Sequence, residues 1–389
     1  MRMKKFSLFF ITILAAFTNC TGQTHKTNEL PNWALGGFTR PAGINPIISP
    51  KEKTLFYCPM IRKNIAWESN DTFNPAAVLK NGKVIILYRA EDKSGVGIGY
   101  RTSRIGYAES TDGVNFTRHS KPVLYPRKDS QQETEWPGGC EDPRVAVTKS
   151  GTYVVFYTQW NRKVARIAVA TSKDLINWTK HGPIFKKAYN GKFFNEWSKS
   201  GAVITKVIDN KQVITKINGK YWMYWGEHGV SAATSDDMIN WKPVLDSAGN
   251  LKKLIEPRKN YFDSDLTECG PPAIITEKGI LLLYNGKNKA NEDRDLRFNS
   301  NAYSAGQVLF DLKDPTKVID RLSVPFLRPL EAFEKSGQYA AGTVFIEGLV
   351  FFKKKWFLYY GCADSKVAVA VFDPAKAALG DPLPLAPLN

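Results

Sequence analysis

The residues of this chain best suited to chemistry are carboxylates that stand next to glycine or proline. Asp142 lies in GCEDPRV, Glu227 in GEHG, Glu268 in TECG and Asp364 in YGCAD. One carboxylic acid can protonate a leaving oxygen while another carboxylate activates water, and cleavage of a glycosidic bond requires this pairing. The chain also contains 10 Trp and 16 Tyr, whose flat faces can pack against sugar rings. Together these residue types favour a carbohydrate-active site.

Other reaction classes receive little support from the composition. The chain has only four His, and His228 alone lies close in sequence to these carboxylates. Neither a Ser-His-Asp triad nor a metal held by histidines is therefore indicated, and we expect no metal and no cofactor. The alternative is that the polar side chains do not catalyse. They would then form a hydrogen-bonded network that fills the centre of the fold, or a binding site for sugars.

The carboxylates lie near the ends of short apolar strands that repeat along the chain. Five such strands end in an aromatic residue at intervals of 59 to 76 residues, at Tyr88, Tyr157, Trp225, Tyr284 and Tyr360. A Ser-x-Asp turn follows the first three, at Ser110, Ser172 and Ser235. Five copies of a small antiparallel sheet predict an all-β fold, and specifically a five-bladed β-propeller.

In a propeller the first strand of each blade lines the central channel, so residues at the starts of these strands should meet. In one blade after another the residues there, and just after the second strands, are charged or amides: Asn74, Glu141, Asp142, Lys199 and Glu268, with Arg89, Glu91, Glu227, Asn285 and Asp364. Ionisable groups in one axial pocket are costly to bury unless they pair or act. The repeat therefore predicts a site on the axis.

The start of the chain predicts export. A positively charged beginning followed by an apolar stretch predicts a signal peptide at residues 1–19, and Cys20 directly after it predicts a lipid-modified cysteine. We expect residues 20–50 to form a lipid-anchor tether and an irregular N-terminal segment, and residues 51–389 to form a single catalytic domain. The expected partner is the outer membrane, on its periplasmic or cell-surface side, and ordinary secretion is the alternative.

The net charge of +17 raises nucleic acid as a partner, but its distribution argues against one. Three of the positive charges belong to the predicted signal peptide, and Lys is scattered through turns as on a solvated surface. Four cysteines remain after Cys20, and none has the spacing of a zinc site. They form either disulfides or buried thiols: Cys58, Cys140, Cys269 and Cys362.

From about residue 65 to 375 the chain resembles glycoside hydrolase family 130, the β-mannoside phosphorylases and β-mannosidases. The motifs that carry the resemblance are FNPAAV, YRAED, SRIGYAESTDGVNF, GCEDPRV, SKSGAV, GPPAIIT, VLFDLKDPTKVIDR and YYGCAD. It implies a five-bladed propeller and a general acid at Asp142, which passes its proton through a sugar hydroxyl. It also implies that five residues hold the mannose that is cleaved off: Asn74, Arg89, Arg104, Lys199 and Asp364.

The family divides by what attacks the anomeric carbon. Phosphorylase members bind phosphate through Arg and His, whereas a smaller branch has two glutamates there and uses water. Glu227 and Glu268 match that hydrolytic two-glutamate branch, and Asn285 stands where many members have His. Two carboxylates repel phosphate, and a sugar phosphate made outside the cell is hard to import.

The resemblance therefore implies an exported, inverting β-mannosidase that acts on manno-oligosaccharides, with the β-1,2 linkage expected from the two-glutamate branch. Glu227 and Glu268 would hold and activate the water, and which of them is the base stays open. A β-mannoside phosphorylase that releases mannose 1-phosphate is one alternative. A non-catalytic carbohydrate-binding propeller at the cell surface is the other.

Overall fold

The computed structural model of the chain describes residues 28–384. The predicted signal peptide and Cys20 lie outside the described residues. Nearly all the regular secondary structure of the described part is β-strand, so the all-β class is confirmed. Three short strands come first: β1 (Asn28–Glu29), β2 (Leu55–Cys58) and β3 (Lys63–Ala66).

Five antiparallel sheets then follow one another along the chain. The first sheet contains β4 (Asp71–Lys80), β5 (Lys83–Glu91), β6 (Ser103–Ser110) and β7 (Thr117–Arg118). A single helical turn, α1 (Gln132–Glu135), leads to the second sheet, which contains β8 (Gly139–Val147), β9 (Tyr153–Trp160), β10 (Ala165–Ser172) and β11 (Thr179–Pro183). A 3-10 helix at Ala188–Gly191 precedes the next sheet.

The third sheet contains β12 (Ala202–Ile208), β13 (Lys211–Ile214), β14 (Lys216–Ile217), β15 (Lys220–Trp225), β16 (Val230–Ser235), β17 (Trp241–Pro243) and β18 (Lys253–Ile255). The fourth contains β19 (Leu266–Cys269), β20 (Ala273–Thr276), β21 (Gly279–Lys287), β22 (Tyr303–Phe310) and β23 (Val318–Arg321). A 3-10 helix at Ala332–Glu334 precedes the fifth sheet, which contains β24 (Val344–Phe352), β25 (Lys355–Cys362) and β26 (Lys366–Phe372), and β27 (Leu379–Gly380) ends the series.

Local sequence explains the strands and their turns. The apolar strands β5, β9, β21 and β25 are buried along most of their length, as expected for strands covered on both faces. Two hairpins turn on Asn81-Gly82 and Asn218-Gly219, in which all four residues have positive φ. Asn-Gly is the preferred pair for such two-residue turns.

The repeated Ser-x-Asp turns are structural. In the first, the Ser110 hydroxyl accepts the Gly113 N–H at 2.8 Å, and the Asp112 carboxylate accepts both the backbone and side-chain N–H groups of Asn115 at 2.8 Å. The turns that start at Ser172 and Ser235 have the same bonds. These bonds use the polar atoms of the motif within the turn, which explains the repeat without a ligand.

The sheets join one another through close backbone approaches. Parallel bridges connect the first sheet to the second at Ser103 and Gly139, and the third to the fourth at Ile204 and Ala273. The fifth sheet packs on the first, since a Cβ at Gly348 would lie 2.6 Å from a carbonyl oxygen of β4. Within residues 28–384 no helix is long and apolar enough to cross a membrane.

The N-terminal segment differs from the expected tether. Residues 28–50 lie against the fifth sheet, where Thr39 bridges Val371 and Ile48 bridges Val367, and β1 pairs with β27. The fifth sheet has only three strands, so the edge of β26 needs a partner for its backbone groups. The packed region therefore begins well before the boundary predicted at residue 51.

The buried strands predict where a substitution will destabilise the fold. Leu282 in β21 is fully buried, so we expect Leu282→Ala to lower the free energy of unfolding by about 2–5 kcal/mol through lost burial and a cavity. Leu312, in a turn of the same sheet and 43% exposed, is the matched control, and Leu312→Ala should cost less than about 0.5 kcal/mol. Urea unfolding of both variants measures the difference, and equal losses would contradict the packing described.

Candidate active site

Two β-bulges project side chains from the first strands of the first and second sheets. The pairing of β4 slips between Phe73 and Pro75, and that of β8 slips between Glu141 and Arg144. Asn74 and Asp142, both with φ of +47°, occupy the bulges. Asn and Asp tolerate this conformation better than most residues, and bulges often redirect side chains at active sites. The Asn74 amide donates to Asp142 Oδ1 at 2.9 Å.

A buried arginine binds the carboxylates of these two sheets. Arg89 in β5 donates from Nη1 to Asp142 at 3.0 Å and from Nη2 to Glu91 at 2.6 Å and to Glu141 at 2.9 Å. Its Nε donates to the hydroxyl of Ser103 in β6 at 3.0 Å. Its guanidinium therefore compensates three buried negative charges at once.

The third sheet contributes a second cation. Lys199 lies in the segment before β12, and its Nζ is 3.5 Å from Asp142 Oδ2 and 3.6 Å from Glu227 Oε1. The next residue, Ser200, has a φ of +62° and donates its hydroxyl to Glu268 Oε1. Lys199 and Ser200 thus connect the predicted acid to both predicted water-binding glutamates.

The two glutamates have different surroundings. Glu227 follows β15, keeps 19% of its side chain exposed, and accepts the indole N–H of Trp197 at 2.8 Å. Glu268 lies in β19 and is almost fully buried. Asn285, paired with Glu268 across the sheet, donates to Ile346 O at 3.2 Å and accepts Ile346 N–H at 2.7 Å. The side chain of Asn285 therefore joins the fourth sheet to the fifth.

The electrostatics separate the carboxyl groups into two kinds. Burial favours a higher pKa for Asp142, but Arg89, Lys199 and Arg144 outweigh it and hold that pKa below its usual range. For Glu227, too, burial is outweighed by Lys199 and the Trp197 N–H, and the pKa is lowered.

Three other carboxyl groups titrate near neutrality. Burial, opposed by Lys199 and reinforced by Glu227, raises the pKa of Glu268 to about 7. Burial also raises the pKa of Glu141 and of Asp364 to about 7, in each case against the charge of Arg89. Groups poised between the two protonation states at neutral pH suit proton transfer.

The structure brings together seven of the eight residues predicted for catalysis and mannose binding. Asp364 lies on the turn after β25 with a φ of +50°, where its carboxyl responds to the charges of Arg89, Asp142 and Lys199. Arg104 is the exception. It projects from the other face of β6 than Ser103, is 2% exposed, and donates to Asp92 at 2.7 Å. The contacts of Arg104 therefore do not support sugar binding.

A buried contact between Arg144 and Glu347 was not predicted from the sequence, and burial raises the pKa of Glu347 well above its ordinary value. Arg144 Nη2 lies 3.1 Å from Glu347 Oε1, and both side chains are fully buried. Arg144 also donates to the backbone carbonyls of Asp142, Cys269 and Gly270 at 2.8–3.0 Å. Glu347 occupies a bulge in β24, between Ile346 and Gly348. The available signal was a Glu-Gly pair inside the apolar strand VFIEGLVFF.

Among residues 28–384, no three His, Cys, Asp or Glu side chains are grouped so as to hold a metal. Cys58, Cys140, Cys269 and Cys362 are buried free thiols. The site is therefore a mostly buried cluster of acidic and basic side chains, which reaches solvent near Glu227 and Trp197.

Comparisons with known proteins identify the family of the chain. A family model described as beta-1,4-mannooligosaccharide phosphorylase, that of glycoside hydrolase family 130, matches residues 45–376. The chain is 34% identical over 315 residues to a 1,2-beta-oligomannan phosphorylase of Thermoanaerobacter sp. (strain X514), with 79% of this chain and 91% of the relative covered.

Solved structures are similar over most of the chain. A glycosyl hydrolase from Bacteroides ovatus has a TM-score of 0.91 and 65% sequence identity, with 92% of this chain and 100% of that chain covered. A second structure has a TM-score of 0.91 and 63% identity, with the same coverage. It is described with the statement that the GH130 family of mannoside phosphorylases contains glycoside hydrolases that target beta-1,2 mannosidic linkages in Candida mannan. By its match to the family model and its similarity to these proteins, the chain belongs to glycoside hydrolase family 130.

Proposed function

We propose that the protein is an inverting β-mannosidase that hydrolyses β-1,2-linked manno-oligosaccharides. The observation that carries the proposal is the bridge made by Lys199, whose Nζ contacts Asp142 at 3.5 Å and Glu227 at 3.6 Å. The two carboxylate oxygens can therefore be no more than about 7 Å apart. The proposed acid and one of the two proposed water-binding glutamates therefore share one pocket, as hydrolysis by an acid and an activated water requires. The similar structure tied to β-1,2 mannosidic linkages supports the substrate.

We propose further that the five sheets are the blades of a five-bladed β-propeller. Side chains from all five sheets meet in one cluster, through Asn74, Asp142, Lys199, Glu268 and Glu347. The close approach of the fifth sheet to the first supports a ring of sheets. A propeller places the first strand of each blade along its axis, which accounts for the convergence.

In the proposed reaction, Glu268 accepts a proton from a water held by Glu227 and Glu268. The oxygen of that water attacks the anomeric carbon as the glycosidic C–O bond breaks, and the leaving oxygen receives a proton from Asp142 through a sugar hydroxyl. The pKa of Glu268, raised to about 7, makes it a better base at neutral pH than Glu227, whose pKa is lowered.

Asp142 is ionised in the ligand-free protein because its pKa is held low. A mannose in the pocket would exclude water and take hydrogen bonds from Asn74, Arg89 and Lys199, which now stabilise that charge. Fewer donors and less water both raise a carboxyl pKa, so substrate binding itself would prepare the acid. Asp364 would bind the same mannose. We assign Arg104, paired with Asp92, a supporting role.

A β-mannoside phosphorylase is the second candidate, favoured by the Thermoanaerobacter relative. Incubation with β-1,2-mannobiose, with and without inorganic phosphate, distinguishes the two. We expect free mannose as the product in both conditions, because Glu227 and Glu268 repel a phosphate dianion. Mannose 1-phosphate formed only when phosphate is present would overturn hydrolysis, and no turnover in either condition would favour a binding protein.

The pH dependence of kcat decides between the two glutamates, because kcat reports the enzyme–substrate complex, in which Asp142 carries its proton. A base must be deprotonated, so with Glu268 as base the activity falls as the pH drops below about 7. With Glu227 as base, activity would persist to a lower pH than an ordinary glutamate allows, because Lys199 and the Trp197 N–H lower the pKa of Glu227. We expect the activity to fall below about pH 7. We also expect Glu268→Gln to lower kcat by about 10²–10⁴-fold. Glu141→Gln is the matched control, because Glu141 has a similar pKa. In this control, the pH at which the activity falls should be unchanged.

We also propose export and lipid anchoring through Cys20, from the sequence pattern at residues 1–20. Fractionation of cells that express the full chain tests this. The native chain should be found with the outer membrane and incorporate labelled palmitate, whereas Cys20→Ala should be soluble and unlabelled. Cys58→Ala, which removes a buried thiol, should behave as the native chain. An unlabelled native chain would instead indicate ordinary secretion.

A further inference from the structure

The loop between β5 and β6 exposes apolar side chains next to the candidate active site. Val96 is 92% exposed, Ile98 is 56% exposed and Tyr100 is 63% exposed. Single exposed apolar residues are ordinary, but a cluster beside a polar site commonly marks a binding surface. The loop starts after Glu91 and ends before Ser103, and both of these residues contact Arg89. The exposed side chains therefore lie on a loop whose two ends join the carboxylate cluster.

The backbone of this loop is fixed from the second sheet. Trp160 Nε1 donates to the carbonyl of Gly99 at 2.9 Å, and Arg162 Nη2 donates to the carbonyl of Tyr100 at 2.6 Å. At the base of the loop, the Ser94 N–H donates to Asp92 Oδ1 at 2.9 Å. Because the loop is already held in place, a ligand that binds to it loses little free energy in ordering the surface.

An apolar path connects the loop to the proposed water-binding pair. The rings of Trp160 and Trp197 meet edge to face, with 5.6 Å between centroids. Trp197 is 47% exposed and donates its indole N–H to Glu227 at 2.8 Å. We call the exposed loop side chains of Val96, Ile98 and Tyr100, together with Trp160 and Trp197, the apolar wall, because Trp160 is bonded to the loop and contacts Trp197. It extends from Glu227 outward to the tip of the loop.

We propose that the apolar wall binds sugar units of the oligosaccharide that lie beyond the mannose held by Arg89 and Lys199. The enzyme would accordingly prefer chains longer than a disaccharide. This inference rests on the proposed function. Its basis is the continuity of the wall with Glu227, because any chain longer than one sugar must leave the pocket past its open edge.

The chemistry of the wall also fits a neutral oligosaccharide. The C–H faces of sugar rings pack on aromatic and aliphatic surfaces, and the carboxylates nearby would repel anionic ligands. A stable protein partner usually buries about 800 Å² on each side, more than a wall of five side chains offers.

The test compares kcat/KM for β-1,2-mannobiose and β-1,2-mannotetraose in the full-length protein. Tyr100→Ala removes one wall side chain, while the Tyr100 carbonyl keeps its bond from Arg162. We expect kcat/KM for the tetraose to fall by about tenfold, which corresponds to about 1.4 kcal/mol, and that for the biose to stay within about twofold. The double variant Val96→Ser, Ile98→Ser should likewise lower kcat/KM for the tetraose and leave kcat/KM for the biose within about twofold.

Tyr57→Ala is the matched control, because Tyr57 is 56% exposed on β2, outside the wall. This variant should leave kcat/KM unchanged for both substrates. Equal losses on biose and tetraose in Tyr100→Ala, or no loss on either, would overturn the proposal. If the native enzyme cleaves neither substrate, the proposed function fails first. Calorimetry of tetraose binding to Asp142→Asn, with and without Tyr100→Ala, then tests the wall without turnover, and unchanged affinity would overturn it.

Discussion

The site depends on one constraint, which is the need to compensate carboxylates buried where the sheets meet. Each buried carboxylate loses several kcal/mol of hydration, of the order described for ions in protein interiors, and needs a cation or several donors in return. Arg89 compensates Glu91, Glu141 and Asp142, and Lys199 lies between Asp142 and Glu227. Because few cations serve many acids, some carboxyl groups remain ionised while others hold a proton near neutrality. That division supplies the two protonation states that acid–base chemistry needs.

The backbone fixes the spacing of these charges. Asn74 and Asp142 reach the cluster because each occupies a bulge in a first strand, and the bulges lie in strands anchored by long antiparallel pairing. Arg144 then binds the carbonyls of Asp142, Cys269 and Gly270, and so joins the strand of the proposed acid to the strand that carries Glu268. The rigidity of the sheets is therefore transmitted to the distance between the two proposed catalytic groups.

The sequence predicted the strands, and most of the residues it named for the site lie together, whereas the differences from it have physical causes. Apolar strands and Ser-x-Asp turns repeat in the sequence, so the succession of small sheets could be predicted. Arg104 was misleading because alternation along β6 places it on the other face from Ser103, and a motif does not show that face. Glu347 was missed because the bulge in β24 lacks the proline that marks the other two. Residues 28–50 resembled a tether because their pairing with the fifth sheet is irregular and distant in sequence.

The same charge balance bears on the choice between water and phosphate. A bound phosphate needs cations to attract it, yet Asp142 and Glu227 already balance the charge of Lys199, which leaves little attraction for an anion. Asn285 uses its side chain to join Ile346, so it offers phosphate no free amide without breaking that link. A phosphate beside Glu227 and Glu268 would be repelled by two negative charges unless both carboxylates were protonated. A water, in contrast, can donate a hydrogen bond to each of them. The proposed nucleophile therefore follows from the charges that the fold places around it.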